Sequence, residues 1–578
     1  MGGDVICNTY RIRISILQFF SPKKWGIFFD TVGPRERFLV FFLLFVIVGS
    51  LLSWGVTLFF SLTKSVPAQG GTYTEGIVGE PSYINPVIAQ SAEVNADMVQ
   101  LVYSGLFSYD ERGRIRENLA ERYELVEEGK KYIVSLRRGV KWHDGRDFSA
   151  DDVLFTVRTL QDPAYKSPLR ANWQGVEVSK EDEYRVVFSL KKAYFDFLEN
   201  LTVGILPKHV WEGIAPEKFA LTDINLNPIG TGPFRVEGFK KDSNGVILSY
   251  ELRSFQDYFE GAPFIQKLVL YFYRSEDELL SAYNRREVLG MSNVSSGRLS
   301  AVSEKKDVTV RELIQPRVFA VFLNEKKSVP LADERVRKAL AFATDREAIV
   351  RQVLHGFGTQ SFSLFSPIMN AYSSAGEAYQ FRPDEAEKVL EEAGWKVNSD
   401  GVREKNGVRL EFEISTPNWS EIVETAHLLS EQWNRVGAHV SVRVLDNISD
   451  AQRTIRSREY SALLYGLAMT FEPDPYSFWH SEQTGEFESN FSMFGDKRAD
   501  ELLSNARETL DANVRSGMYR EFQEILAGKM PAVFLYSPTY LYVTHQSVRG
   551  FSATALNTPA SRFQDISRWY VNTKRVRK

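Results

Sequence analysis

The chain has 578 residues, 43% of them hydrophobic and 25% charged, a balance that fits a folded protein of about two to four domain-sized units. The formal net charge is −4; residues 1–69 hold seven Lys/Arg and three Asp/Glu, so residues 70–578 carry −8, which argues against a large nucleic-acid-binding face. The one cysteine, Cys7, lies near the start, which excludes a disulfide framework and any cysteine-based zinc site in the rest of the chain.

Residues 1–37 form a basic leader that includes Arg11, Arg13, Lys23, Lys24, Arg35 and Arg37. Residues 38–60 (FLVFFLLFVIVGSLLSWGVTLFF) carry no charge. At about 1.5 Å per residue such a run reaches roughly 34 Å, enough to cross a bilayer core of about 30 Å. Only Lys64 follows it closely, so the excess of positive charge places the leader in the cytoplasm and the remainder outside. Val66-Pro67-Ala68 offers small residues for cleavage, but the run exceeds the ~7–15 residues of a signal core, which favours an uncleaved anchor. No cysteine follows it, so a lipoprotein anchor there is excluded.

Residues 61–70 read as a short linker. Beyond them strand-like and helix-like stretches alternate. Tyr132, Val134 and Leu136 repeat with period two, as do Leu410, Phe412 and Ile414, and Val440, Val442 and Val444. Asp151 and Asp152 open an apolar helical stretch over residues 153–160, where acids suit the helix dipole. Thr344 and Glu347 suggest a capping box before residues 348–354. Residues 383–393 begin with Pro and stop at Gly394. Residues 420–436 place Ile422, Ala426, Leu429, Trp433 and Val436 on one face, with Ser420 as N-cap and Gly437 just past the end. Strand 408–414, this helix and strand 439–444 form a βαβ unit, which predicts parallel strands with a ligand-side loop at residues 415–419. The closing run Lys574, Arg575, Arg577 and Lys578 reads as a solvated tail, with lipid headgroups as the lesser alternative.

The sequence gives little support for catalysis. The seven histidines make no HExxH and no pair at metal spacing, and neither a GxSxG elbow nor a phosphate loop occurs. Trp142-His143-Asp144-Gly145 reads as a turn with Asp144-Gly145 at its corner. No catalytic residue, metal ligand or cofactor is predicted. The aromatic content, 13%, suits either a lined ligand cleft or a large core.

Residues 129–145 (GKKYIVSLRRGVKWHDG), continuing into Phe148-Ser149-Ala150-Asp151-Asp152-Val153, closely resemble the signature block of the family 5 bacterial solute-binding proteins, the oligopeptide, dipeptide and nickel binders of ABC importers. Further blocks follow in family order: residues 101–106, 205–209, 230–234, 333–340, 343–347, 473–476 and 531–536. The resemblance spans roughly residues 70–570. It implies an α/β fold after an N-terminal transmembrane helix: a two-lobe periplasmic-binding-protein clamp, type II-like, with an extra inserted subdomain. The first lobe would comprise 70–315, with the inserted subdomain at about 111–224, plus a C-terminal segment 540–578 that returns to it. The second lobe would comprise 316–539, with the chain crossing near 316–322 and again near 536–542. The implied partners are a peptide or peptide-like solute, an ABC permease and the cytoplasmic membrane, with a monomer outside the transporter complex.

The resemblance also implies a ligand site. It would draw on the loop after the first strand (Thr74, Glu75, Gly76) and the loop after strand 461–465 (Gly466, Leu467, Ala468, Met469, Thr470, Phe471), with Asn418 and Trp419 at the strand end described above. Asn324 has a structural reading beside a functional one. Peptide-binding relatives commonly carry an Asp three residues before the Asp-Pro pair as partner of the peptide ammonium. Here Phe471 stands there, before Asp474-Pro475, with Glu472 one residue away as the substitute. From that position alone, blocking a peptide's amino terminus is expected to change affinity little. The alternatives are a non-peptide solute on the same fold (a metal chelate, haem or a sugar), an anchored extracellular hydrolase, and a surface scaffold.

Overall fold

The structure, a computed structural model, describes residues 33–89, 92–303 and 307–578. The leader expected over 1–37 lies outside them, except for its last five residues. The described chain forms two compact units, residues 33–67 with 573–578, and residues 68–572.

The first unit holds the helix Pro34–Leu62, 29 residues with a mean hydropathy of 2.5 over its most apolar stretch and no buried side chain. Pro34 opens it, and the Glu36 carboxylate accepts from the Gly33 N–H at 3.0 Å. The helix is longer at both ends than the uncharged run, because Arg35, Glu36 and Arg37 extend it on one side and Ser61-Leu62 on the other. The stretch read as a linker is instead a strand, Thr63–Ala68, and the stretch read as a solvated tail is its partner, Asn572–Arg577. A local reading cannot find such a pairing, since more than 500 residues separate the strands.

The second unit is built on two large sheets. The first has seven strands in the order Val308–Leu313, Tyr540–His545, Gly290–Met291, Thr72–Val78, Lys267–Tyr273, Ile247–Ser254 and Phe234–Lys241. Thr72–Val78 runs parallel to both its neighbours, which leaves it central and covered on both faces. The second sheet has six strands in the order Gly358–Gln360, Ala532–Pro538, Arg317–Leu323, Ala462–Ala468, Glu411–Pro417 and His439–Leu445. A four-stranded antiparallel sheet, Ala120–Val126, Lys131–Leu136, Arg185–Leu190 and Val176–Asp182, stands on the inserted segment. The chain passes between the two large sheets twice, through residues 314–316 and through Thr539. Two adjacent crossings make a hinge that permits closure and resists shear.

The expected βαβ unit is present: Glu411–Pro417 and His439–Leu445 pair in parallel around the helix Ser420–Arg435. Its first strand is displaced from 408–414, because Val408–Arg409 joins a small hairpin sheet and the parallel ladder continues to Pro417. Gly437 is left-handed at φ +89°, as a residue just past a helix end requires. Two caps differ from expectation. Trp419, not Ser420, is the N-cap residue, and Asp345 rather than Thr344 caps the helix Arg346–Gln352 by accepting from the Ala348 N–H. The Thr344 hydroxyl instead donates to the Leu340 carbonyl. Six of the ten tryptophans are fully buried, so much of the aromatic content is core.

One buried charge network ties the first lobe together. Arg562, 0% exposed, donates from Nε to Glu75 at 2.9 Å and from both Nη atoms to Asp97 at 2.6 Å. The other Glu75 oxygen accepts from the hydroxyls of Tyr73 at 2.7 Å and Tyr542 at 2.6 Å. These groups come from the central strand, the helix Glu93–Val102, the returning strand Tyr540–His545 and the turn Pro559–Phe563. Burial pushes the Asp97 carboxyl up to about 6 against the opposing pull of Arg562. Removing one partner of such a group strands the others without water. Arg562→Ala should therefore cost roughly 3–5 kcal/mol, and Arg562→Lys should recover little, since one ammonium cannot span both carboxylates. Denaturant unfolding followed by tryptophan fluorescence measures this; a loss below about 1 kcal/mol would contradict it.

Candidate functional site

A cleft of about 970 Å³ opens between the inserted segment and the second lobe. The inserted side contributes Tyr123, Leu125 and Tyr132 from strands, then Phe195, Asp196 and Glu199 from the turn that follows the small sheet. The second lobe contributes residues 470–473 after the strand Ala462–Ala468, residues 368–371, and Arg515 and Tyr519 on the helix Ala512–Lys529. The C-terminal segment adds Thr554, Ala555 and Asn557. A side chamber of about 290 Å³ shares Asp196, Glu199, Thr470 and Asn557 with the cleft and adds Ala468, Met469 and Asp474.

The two lobes touch across this cleft. The Phe471 N–H donates to Asn557 Oδ1 at 3.1 Å, and Asn557 Nδ2 donates to the Gly113 carbonyl at 2.6 Å. The Phe471 ring lies over Gly113, whose φ is +78° and whose missing Cβ would stand 2.5 Å from that ring. Both the left-handed backbone and the close approach require glycine there. Beside it, the Arg515 guanidinium sits 4.0 Å from the centre of the Phe195 ring and pairs with Glu472 at 3.3 Å. Asp474 accepts from the Tyr194 hydroxyl at 3.2 Å and pairs with Arg507 at 2.8 Å. The Phe195 N–H donates to the Arg507 carbonyl at 3.1 Å.

The cleft is electrostatically acidic around Asp196. This carboxylate has neither a hydrogen bond nor an ion pair among the described residues. It is held well above the usual carboxylate range, first by burial and then by the neighbouring charges of Glu199, Asp474 and Glu472; Arg515 opposes them. Glu199, hydrogen-bonded to the Tyr109 hydroxyl, is also raised by burial. An unpartnered, partly buried carboxylate with like-charged neighbours favours a cation in the space before it.

The residues singled out from sequence fall into two sets. Thr470, Phe471 and Glu472 line the cleft, and Ala468, Met469 and Thr470 line the side chamber. The others stand elsewhere. Thr74, Glu75 and Gly76 lie inside the central strand, which continues to Val78, so they form no loop. The Thr74 hydroxyl accepts from the Leu289 N–H at 3.0 Å, Glu75 is committed to Arg562, and a Cβ on Gly76 would collide with Leu279. Gly466 and Leu467 are within the strand Ala462–Ala468: Gly466 faces the Phe319 ring, and Leu467 is 1% exposed in the core. Asn418 and Trp419 lie at the end of their strand, outside the lining of both cavities; the Trp419 ring is 47% exposed and 6.2 Å from Tyr465. Asn324 is buried and donates to the Arg458 carbonyl at 3.3 Å. His143 is tied to the Gly230 N–H and the Gly232 carbonyl, and burial lowers it to about 4.

Asp196, Glu199, Arg515, Asn557 and Gly113 were not visible as site residues in the sequence. Their one local trace is the run Tyr194-Phe195-Asp196-Phe197-Leu198-Glu199, where two acids three apart stand among aromatic and aliphatic residues. Phe471 makes an interlobe contact, and carboxylates also reach the cleft from the inserted segment. Gly113→Val should push the Phe471 ring off its seat and favour lobe separation. Small-angle scattering should show a larger radius of gyration, partly restored by Phe471→Ala in the same chain. An unchanged radius would contradict the contact's role.

Residues 114–488 match the family model described as bacterial extracellular solute-binding proteins, family 5 middle. The oligopeptide-binding protein AppA of Bacillus subtilis (strain 168) is 28% identical over 514 residues, covering 87% of this chain and 92% of that protein. Its solved structure in complex with a nonapeptide superposes with a TM-score of 0.72 at 25% identity, covering 88% of this chain and 100% of that one. NikZ from Campylobacter jejuni in complex with Ni(L-His) gives a TM-score of 0.72 at 26% identity, with coverages of 86% and 99%. With two sheets joined by a double crossing, a cleft beside the second lobe and a family match over the middle of the chain, this protein belongs to the family 5 bacterial extracellular solute-binding proteins.

Proposed function

We propose that this protein is the capture component of an ABC importer, anchored outside the cytoplasmic membrane, and that its solute is a peptide or peptide-like molecule with a cationic group. The observation that carries the ligand reading is the unpartnered Asp196 carboxylate in a cleft of about 970 Å³. That volume lies at the upper end of the ~300–1,000 Å³ usual for small-molecule sites. Tyr123, Tyr132 and Phe195 supply apolar walls, and Asp196 with Glu199 supplies carboxyl groups that a bound cation would hold ionised. The nonapeptide held by the Bacillus subtilis relative, an oligopeptide-binding protein that is 28% identical over 514 residues, supports a peptide.

Capture works by population shift. Contacts such as Phe471 to Asn557 and Arg515 to Phe195 span the lobes and require closure. A solute touching both walls gains its full contact set only then, so it favours the closed state by its differential affinity. A permease that recognises the closed form thereby reads occupancy. This role needs no bond-making group. We assign the lobes to residues 70–315 with 540–572, and to 316–539, with the inserted subdomain at about 111–224 between them.

Mass spectrometry of solute released from the purified full chain identifies the ligand directly. Titration calorimetry with that peptide in free and N-acetylated forms then tests the charge reading. The free amine should bind at least tenfold tighter, about 1.4 kcal/mol, and Asp196→Asn should remove most of the difference. A bound cation favours ionised Asp196 and expels its proton. Affinity should therefore rise with pH through the raised value of the free protein and level off above it. Equal binding of both peptides would refute the cationic requirement.

The anchor reading predicts sidedness. Protease added to intact cells, with any outer membrane permeabilised, should digest the domain while the membrane still protects the leader. Full protection of residues 70–578 would reverse the topology.

A further inference from the structure

We propose that the paired strands Thr63–Ala68 and Asn572–Arg577 form a basic collar that binds anionic phospholipid headgroups at the outer end of the helix Pro34–Leu62. This inference rests on the reading that the helix crosses the membrane. Lys64, Lys574, Arg575, Arg577 and Lys578 are all exposed, and among the described residues none of them pairs with a carboxylate. Residues 61–70 and 570–578 contain no Asp or Glu, so neither strand carries an acidic side chain of its own. An isolated basic tail would be a solvated segment. Here it is a strand held directly against the end of a long apolar helix.

The contacts at the helix end are specific. The last turn of a helix leaves carbonyls without partners, which is costly next to lipid. The Arg575 guanidinium donates to the Phe60 carbonyl at 3.4 Å and the Thr63 carbonyl at 3.2 Å, and its Nε donates to the Thr63 hydroxyl at 2.8 Å. The Lys578 N–H donates to the Leu62 carbonyl at 2.9 Å. Arg575 also lies over the rings of Phe60 and Phe59, at 4.0 and 5.6 Å. A cation at the negative end of the helix dipole, flanked by aromatic rings, is the arrangement expected at a membrane interface. Arg575 is thus occupied in completing the helix, while Lys64, Lys574, Arg577 and Lys578 are left to meet phosphate. Juxtamembrane cations of this kind attract anionic lipid. The C-terminal strand thereby becomes part of the anchor, and the membrane helix is joined to two strands rather than to one loose linker.

The test uses the full chain in lipid nanodiscs containing phosphatidylglycerol with a photoreactive headgroup. Crosslinked peptides mapped by mass spectrometry should include residues 61–68 and 572–578, with yields about fivefold above those of a photoreactive phosphatidylcholine control. Lys574→Gln with Arg577→Gln and Lys578→Gln, leaving Arg575 in place, should lower that preference at the outer end and leave crosslinks near Arg35 and Arg37 unchanged. Crosslinks confined to the segment before residue 38, or equal yields from the two lipids at the collar, would overturn the proposal. Alkaline carbonate extraction of native membranes separates the two readings: release of the intact chain refutes the anchor itself, whereas an anchored chain without collar crosslinks refutes only the collar.

Discussion

Arg562 is a single cation shared by two buried carboxylates, Glu75 and Asp97, and it ties the central strand and the helix Glu93–Val102 to the turn Pro559–Phe563. A charge without water must find fixed partners, and these partners come from the first strand of the lobe, its first helix and its last turn. The consequence is topological. The chain leaves the lobe, builds the second one, and must return to place Tyr542 beside Glu75 and Arg562 between the acids. The network therefore closes a segment of nearly 500 residues with contacts that fail if any one partner is removed.

That closure is what makes a hinge possible. Because the returning strand Tyr540–His545 pairs with Val308–Leu313, the two crossings run side by side at 314–316 and Thr539. A single crossing would allow the lobes to twist freely. Two crossings restrict motion to opening and closing, which brings residues 470–473 towards Gly113 and Asn557. Asp196 and Glu199 stand on the inserted segment, while Arg515 and Arg507 of the second lobe are occupied by Glu472, Asp474 and aromatic rings. Asp196 has no such partner among the described residues, and burial with like-charged neighbours raises its carboxyl, so a cation placed before it would favour the ionised form.

The same logic of distant ends brought together recurs beside the long apolar helix Pro34–Leu62. The last strand and the first strand after the helix are paired, and Arg575 serves the carbonyls that the helix cannot serve itself. In both places a residue near the C-terminal end completes a structure begun in the first hundred residues.

The sequence by itself determined the features that depend on near neighbours. An uncharged run of 23 residues is long enough to span a bilayer, and periods of two and of three to four mark strands and helices because only one face of each is buried. The βαβ unit around Trp433 was legible for this reason, as was the left-handed Gly437. The resemblance at residues 129–153 carried the two-lobe architecture. Tertiary structure alone decided the role of each charged residue. Glu75 read as a ligand contact because its neighbours in sequence give no hint of Arg562, whereas Asp196 went unnoticed because its isolation is visible only once Glu199, Asp474 and Arg515 surround it. Whether a carboxylate is a buried structural partner or a binding group depends on which cation reaches it. For Glu75 that cation is Arg562, which lies hundreds of residues away along the chain, and for Asp196 no cation of the described residues pairs with it.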